Sequence, residues 1–357
     1  MKSYKFSLMT PMNLSYWWNI GSLLGVLMMV QIMTGIMLVL YYDNSDLSFI
    51  SVMMIHLEIN FGYLFHIIHL GFSNYIFIAL YLHMIKGLLN NSFTKFKLLW
   101  ISGCIMMVMI MMIAFLGYVL PWGQMSLWGA TVITNLLSVL PYGSSLVKWV
   151  WGGYFVSNFT LKIFFCLHFL LPIVLIAIIV MHLIILHYSG SSNPLGLSSS
   201  LLKLEFAPAY VYKDLLNIII IMLLILLTLS SPYLFSDPDN FIKSNSMVSP
   251  IHIKPEWYFL QYYAILRSIP SKLGGIICFI MSVLILFMLI FLKNKQNLFS
   301  FKVVLMSWSW YVVLNLLLMW LGGCPVEYPF IFLSQILSAL YFIYFMLFFM
   351  LVIMINF

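Results

Sequence analysis

Charge is scarce in this sequence. Only 7% of its 357 residues are Asp, Glu, Lys or Arg, while 64% are hydrophobic. A soluble chain of this length could not cover its surface with so few charges, so the sequence reads as an integral membrane protein. It has a single arginine, Arg267, and scattered lysines, so the net charge of +7 is not a nucleic-acid footprint and no nucleic-acid partner is expected. Cysteine is nearly missing too: Cys104, Cys166, Cys278 and Cys324 stand singly, with no CxxC pair and no CxxCH. That leaves no iron–sulfur ligand set and no covalent haem attachment, and the four thiols are expected to pack as small hydrophobes. No stretch is polar enough for a separate soluble domain. The opening MKSYKFSLMTPMNLSYWWN has no short apolar core ahead of a small-residue cleavage site, so no removable signal is expected.

Long apolar runs are what the sequence has in plenty. A hydrocarbon layer about 30 Å thick takes ~20 residues of helix to cross. Eight runs qualify, near 17–41, 63–89, 98–120, 160–187, 215–231, 274–292, 303–321 and 330–355. The expected fold is all-α, with eight transmembrane helices. Two linkers are long, 121–159 and 232–273, and their amphipathic, aromatic character predicts that they pack on the membrane surface. Eight spans put both termini on one side, here called N. Ten of the sixteen basic residues fall on that side, among them Lys86, Lys95, Lys97, Lys293, Lys295 and Lys302. The opposite side, P, has seven of the nine acids. The excess of lysine marks N as the side of synthesis.

Two segments stand out, HLGFSNYIFIALYLH at 69–83 and HFLLPIVLIAIIVMH at 168–182. Each begins and ends with histidine, fourteen positions apart. Fourteen residues of helix rise ~21 Å and return to within about 40° of the same face. His69 and His83 therefore share one face of the second span, near opposite edges of the layer, and His168 and His182 do so on the fourth. One span separates these two helices, so they run parallel, with His69 level with His168 and His83 level with His182. A lone intramembrane histidine reads as a hydrogen-bonded polar residue. Two pairs of equal spacing point instead to function. Zinc would want further ligands that neither level offers, whereas haem iron takes two axial ligands from opposite sides. The glycines repeat the interval: Gly21 and Gly35 on the first span, Gly103 and Gly117 on the third. Antiparallel orientation sets Gly35 and Gly117 at the level of His69 and His168, and Gly21 and Gly103 at that of His83 and His182. Small-residue packing alone could explain them. In this register they suit the close approach of a backbone to a flat macrocycle.

These residues, with WWNIGSLLG at 17–25, GYVLPWGQMSLWGATVITNLLS at 117–138, HIKPEWYFLQYYAILRSIPSKLGG at 252–275 and GGCPVEYPF at 322–330, resemble mitochondrial cytochrome b over nearly the whole chain. The resemblance implies the membrane core of the ubiquinol–cytochrome c oxidoreductase, complex III. It implies two non-covalent b-type haems, a low-potential one on His69 and His168 and a high-potential one on His83 and His182. The first four helices would form a haem-binding bundle within region 1–205, followed by a C-terminal region, 206–357. Ubiquinol would be oxidised on the P side, one electron leaving to a Rieske-type iron–sulfur protein and the other crossing both haems. Cytochrome c1, other complex III subunits, membrane lipid and a homodimeric assembly are implied as partners.

By the same resemblance, Pro255-Glu256-Trp257-Tyr258 lines the quinol-oxidation site, with 121–138 as its opposite wall and Met125, Gly129 and Tyr258 as pocket lining. Glu256 would accept a proton, a task suited to a carboxyl whose pKa is raised beside an apolar pocket. The plainer reading of Glu256 is a surface carboxylate paired with Lys254. On the N side, His187, Asp214, Ser22 and Asn19 would serve quinone reduction. Unaided, His187 reads as an interfacial residue and Asp214 as an acid at a helix N-terminus. The sequence also departs from the family. His66, Lys86 and Ile163 stand where arginine is common near the haem propionates, with Lys86 keeping the charge but losing the bidentate fork. Phe72 replaces a usual glycine, Lys148 an acid, and the loop between the first two spans is about two residues short. Fused halves and equal spacing fit the mitochondrial or bacterial type, and the wealth of Met, Ile, Phe and Asn fits an A/T-rich mitochondrial genome. The inner membrane, with both termini in the matrix, is the expected location. A transporter with a histidine proton relay would be expected to show broken helices or internal repeats, and neither is found. A haem-bearing anchor of another dehydrogenase would leave the PEWY tetrapeptide unexplained.

Overall fold

The computed structural model describes residues 8–196, 199, 201–292 and 301–356. Lys293 and Lys295 lie outside the described residues, as does the side chain of Lys302. The chain forms α1 (Ile20–Val39), α2 (Ser48–Leu57), α3 (Gly62–Leu89), α4 (Ser92–Lys95), α5 (Lys97–Val119), α6 (Gln124–Asn135), α7 (Gly143–Trp151) and α8 (Asn158–Ser189). There follow α9 (Phe206–Asp214), α10 (Leu216–Ser230), α11 (Leu260–Ser268), α12 (Lys272–Met288), α13 (Phe301–Gly323) and α14 (Phe330–Asn356). Strand β1 (Met9–Pro11) pairs antiparallel with β2 (Lys203–Glu205), tying the N-terminal segment to the stretch before α9.

Among the described residues, eight helices are long and apolar enough to cross a membrane, as expected for an all-α integral membrane protein. Seven match the spans read from hydropathy closely. The fifth, Phe206–Ser230, starts nine residues before the expected 215. Its first turns carry polar side chains that hydropathy discounts but the fold satisfies: Tyr210 Oη donates to the Pro11 carbonyl at 2.5 Å and Lys213 Nζ to that of Leu14 at 2.6 Å. Local chemistry fixes other ends. Thr160 Oγ1 accepts from the Ser157 backbone N–H at 3.0 Å to start α8, and Gly190, at φ 78°, ends it.

Helix α1 lies along α3, and α5 along α8. Between the two histidine levels, Leu27, Phe72, Ile76 and Leu175 join one buried apolar cluster. Phe72 is completely buried there, so its extra bulk is used as filling. Much of the apolar surface of α8, including Phe169, Ile173, Val180 and Ile184, faces outward, as lipid contact requires. Cys166 is also exposed, against the expectation that all four thiols pack as small hydrophobes; Cys104 is buried and Cys278 and Cys324 are half-buried. The second long linker does more than lie on the surface. Helix α11 packs against α12, α13 and α14 and buries Tyr262, Ala264 and Ile265, because its apolar residues fall on one helical face.

Candidate functional site

Helix α3 carries His69 and His83, and α8 carries His168 and His182. The rings of His69 and His168 lie 6.2 Å apart, centroid to centroid, with planes at 85°. Two imidazoles holding one ion from opposite sides, each nitrogen about 2 Å from it, have centroids about 6 Å apart. The pair is therefore spaced to hold a single metal ion between the two rings.

Hydrogen bonds fix which nitrogen is free. The Ile113 carbonyl accepts from His168 Nδ1–H at 2.8 Å. Thr34 Oγ1 lies 2.9 Å from His69 Nδ1, and its own proton goes to the Val30 carbonyl at 2.8 Å, so the threonine accepts. Ser102 Oγ likewise lies 2.7 Å from His182 Nδ1 while donating to the Leu99 carbonyl at 2.9 Å. In all three imidazoles the proton sits on Nδ1 and the lone pair on Nε2 is left for a metal.

The glycines back these rings. A Cβ on Gly117 would lie 2.4 Å from His168 Cε1, on Gly35 3.1 Å from His69 Cε1, on Gly21 3.3 Å from His83 Cε1, and on Gly103 3.7 Å from His182 Cε1. In the structure, then, the missing Cβ makes room for the imidazole itself. Beside the His83 level, Trp18 Nε1 and Asn19 Nδ2 are buried donors without an acceptor, and Lys86 Nζ lies 4.3 Å over the Trp18 ring. Lys86 is one helical turn beyond His83. Two buried donors without an acceptor, with the Lys86 cation beside them, suit the carboxylates of a haem, so the residues present fit the group that the sequence suggests. Among the described residues no set of three or more His, Cys, Asp or Glu converges.

On the P side the Pro255–Tyr258 segment is pinned from three directions. Trp257 Nε1 donates to Asn74 Oδ1 at 2.8 Å, Tyr81 Oη donates to the Tyr258 carbonyl at 2.6 Å, and the Tyr258 ring stacks on Phe77 at 3.8 Å and 3°. Lys254 pairs with Asp237 at 3.4 Å, which removes the plainer reading of Glu256 as its partner. Burial pushes the Glu256 carboxyl up to about 7; a hydrogen bond with Tyr118 and the charge of Lys254 act against this, and Asp237 acts with it. Helix α6 is fastened to the same loop, with Gln124 Nε2 donating to the Val248 carbonyl at 2.9 Å and Ser126 Oγ to Asn240 Oδ1 at 2.9 Å. Met125 is buried, and one turn on, a Cβ at Gly129 would meet nothing within 4 Å.

On the N side, Ser22 Oγ is 2.6 Å from Asp214 Oδ1 and 2.9 Å from the Asn19 carbonyl, and Asn217 Nδ2 donates to Ser22 Oγ at 2.9 Å. The fold thus brings Ser22, Asn19 and Asp214 together. His187 is exposed at the end of α8 and hydrogen-bonds to none of them. Thr34, Ser102, Tyr118, Asn74, Tyr81 and Asn217 escaped the sequence reading. The only local signal is that Thr34 and Ser102 each directly precede one of the spaced glycines.

Residues 5–190 match the family model described as cytochrome b/b6/petB, and residues 243–342 match that of the cytochrome b C-terminal part/b6/petD. The chain belongs to the cytochrome b family. Membership brings b-type haem binding with it. The fold is also similar to that of a chain in a solved hyperthermophilic respiratory complex III. The two share 31% sequence identity and a TM-score of 0.88, over 95% of this chain and 92% of that one. A cytochrome b thus accounts for the histidine levels and for the length of the C-terminal half alike.

Proposed function

We propose that this chain is the cytochrome b subunit of a mitochondrial quinol–cytochrome c oxidoreductase. In this reading ubiquinol is oxidised at a P-side site. One electron goes to a Rieske-type iron–sulfur partner and on to cytochrome c1, and the other crosses to an N-side site where quinone is reduced, adding to the proton gradient. The observation that carries it is the imidazole pair His69 with His168, spaced to hold one metal ion, together with the same fourteen-residue interval that leads to His83 and His182 on the same two helices. The similarity to a complex III chain supports the assembly, in which other subunits supply the carriers this sequence lacks. Region 1–205 holds the haems and 206–357 completes the quinone sites, in a homodimeric complex of the inner membrane with both termini in the matrix.

Bound haem supplies one-electron chemistry at each level. The chain's own residues do the rest. Three of the four ligands are held in the tautomer that presents Nε2. Glu256, poised near 7, takes a proton from the quinol hydroxyl and passes it toward P-side water. Pro255, Tyr258, Met125 and Gly129 shape an apolar pocket that excludes water. On the N side Asp214, with Ser22 and Asn19, holds one end of the quinone, and His187 supplies a proton at the other. The test is a dithionite-reduced minus ferricyanide-oxidised spectrum of the complex, with pyridine haemochrome quantitation. Two b haems per chain, titrating at separate potentials, are expected; no haem in a folded sample would overturn the proposal.

A further inference from the structure

Helix α3 has two distinct faces. His69 and His83 lie on one, and Asn74, five residues after His69, stands about 140° around the helix from it. Phe77 and Tyr81 follow Asn74 by three and seven residues, so these three share the second face. That face meets the Pro255–Tyr258 segment. Trp257 Nε1 donates to Asn74 Oδ1 at 2.8 Å, the Tyr258 ring stacks on Phe77 at 3.8 Å, and Tyr81 Oη donates to the Tyr258 carbonyl at 2.6 Å.

Asn74 is the unusual member. It is the one side-chain amide of α3, and it is buried in the apolar run between His69 and His83. An amide buried there is costly unless both its ends are bonded. Both are. Nδ2 donates to the Leu70 carbonyl at 3.1 Å, one turn back in the same helix, which leaves Oδ1 for the indole. The two partners fix which end of the amide is which, because a carbonyl only accepts and an indole N–H only donates.

Three rings also surround Trp257: Phe235 at 6.3 Å, Tyr81 at 6.4 Å and Tyr258 at 5.6 Å. Ring packing is tolerant of sliding, whereas a hydrogen bond is directional and sets where the indole stands along α3. The preceding residue reaches the other way. Glu256 shares a hydrogen bond with Tyr118 on α5, with Asp237 and Lys254 as its charged neighbours. Two adjacent side chains thus hold on to two different helices, and together they set the rotation of the backbone between them.

We propose that Asn74 is a positioning residue for quinol oxidation: by fixing the Trp257 indole it sets the direction in which Glu256 is offered to the quinol. It acts through Trp257 and touches neither quinol nor haem. The inference rests on the proposed reading of Pro255–Tyr258 as a wall of the quinol-oxidation site.

The test is steady-state quinol oxidation by the assembled complex as quinol concentration is varied, in wild type, Asn74→Leu, Trp257→Phe and the double variant, with haem content and midpoints read alongside. Asn74→Leu roughly keeps the volume but leaves the indole N–H unpaired, so Trp257 turns away to find an acceptor. Both kcat and kcat/KM are expected to fall together by about tenfold or more, with KM near wild type and both haems bound at unchanged midpoints. The double variant has no unpaired group left, and Phe packs on Leu, so it is expected to recover most of that loss. A packing role alone predicts a raised KM, and losses that multiply in the double variant. Either result overturns the inference, as does an unchanged kcat in Asn74→Leu or the loss of its P-level haem. If Asn74→Leu fails to assemble, Asn74→Ser is read in its place; it can still bond to the Leu70 carbonyl but is too short to reach the indole. Unaltered turnover in Glu256→Gln would overturn the underlying reading of the site, and the inference with it.

Discussion

Thr34 Oγ1 accepts from His69 Nδ1 at 2.9 Å, and it can do so only because its own proton is committed to the Val30 carbonyl at 2.8 Å. A hydroxyl that spends its hydrogen along its own helix becomes a fixed acceptor across to the next. Thr34→Val keeps the shape and removes the acceptor. Such outer partners are commonly worth 10–100-fold in metal affinity, so P-level haem retention is expected to fall by about that factor. Ser102→Ala should do the same at the N level only. Spectral haem quantitation after dilution in detergent measures both.

The glycines predict a graded series. A Cβ would stand 2.4 Å from the His168 ring at Gly117, 3.1 Å from His69 at Gly35, 3.3 Å from His83 at Gly21 and 3.7 Å from His182 at Gly103. Gly117→Ala is expected to abolish the P-level haem, Gly35→Ala and Gly21→Ala to weaken their levels, and Gly103→Ala to be tolerated. Haem content per chain in the four variants gives the order; a damaging Gly103→Ala beside a silent Gly117→Ala would contradict it.

In the proposed reading, His182→Leu removes one ligand of the N-level pair and leaves the other pair untouched. The expected outcome is loss of the higher-potential b band alone. Survival of both bands in a reduced-minus-oxidised spectrum would show that the ligands pair differently.

Glu256 can accept a proton only when ionised, and burial holds its carboxyl at about 7. Quinol oxidation should therefore slow as pH drops through 7, where the group becomes protonated, and level off above it. Glu256→Gln cannot ionise: turnover is expected to fall about 10²-fold and to lose this limb, with both haems still bound. Steady-state rates from pH 5 to 9 in the two complexes make the comparison.

The spans and the histidine spacing were legible because helical periodicity is local: fourteen residues have the same meaning wherever they stand. The early start of the fifth span was not, since Tyr210 and Lys213 look polar until Pro11 and Leu14 supply carbonyls from about two hundred residues away. For the same reason the partners of PEWY stayed hidden. Tyr81 and Asn74 reach it across 177 and 183 positions, and nothing in their own neighbourhoods marks them. The burial of α11 depends on three helices that follow it in the chain. Thr34 and Ser102 could have been found, had the residue before each spaced glycine been asked what its hydroxyl does.

Leu175 stands seven residues from His168 and seven from His182, and it is fully buried with Leu27, Phe72 and Ile76. None of these side chains can carry a proton. In the proposed reading, an electron that passes from one histidine level to the other moves past these apolar side chains through ~21 Å of a layer about 30 Å thick. Such a step senses the membrane voltage directly: at about 2.3 kcal/mol per charge per 100 mV for the full layer, it feels roughly 1.6 kcal/mol. In the proposed reading, an energised membrane would hold electrons back at one level and pile them up at the other, so this small apolar plug would make the chain a voltmeter as well as a wire.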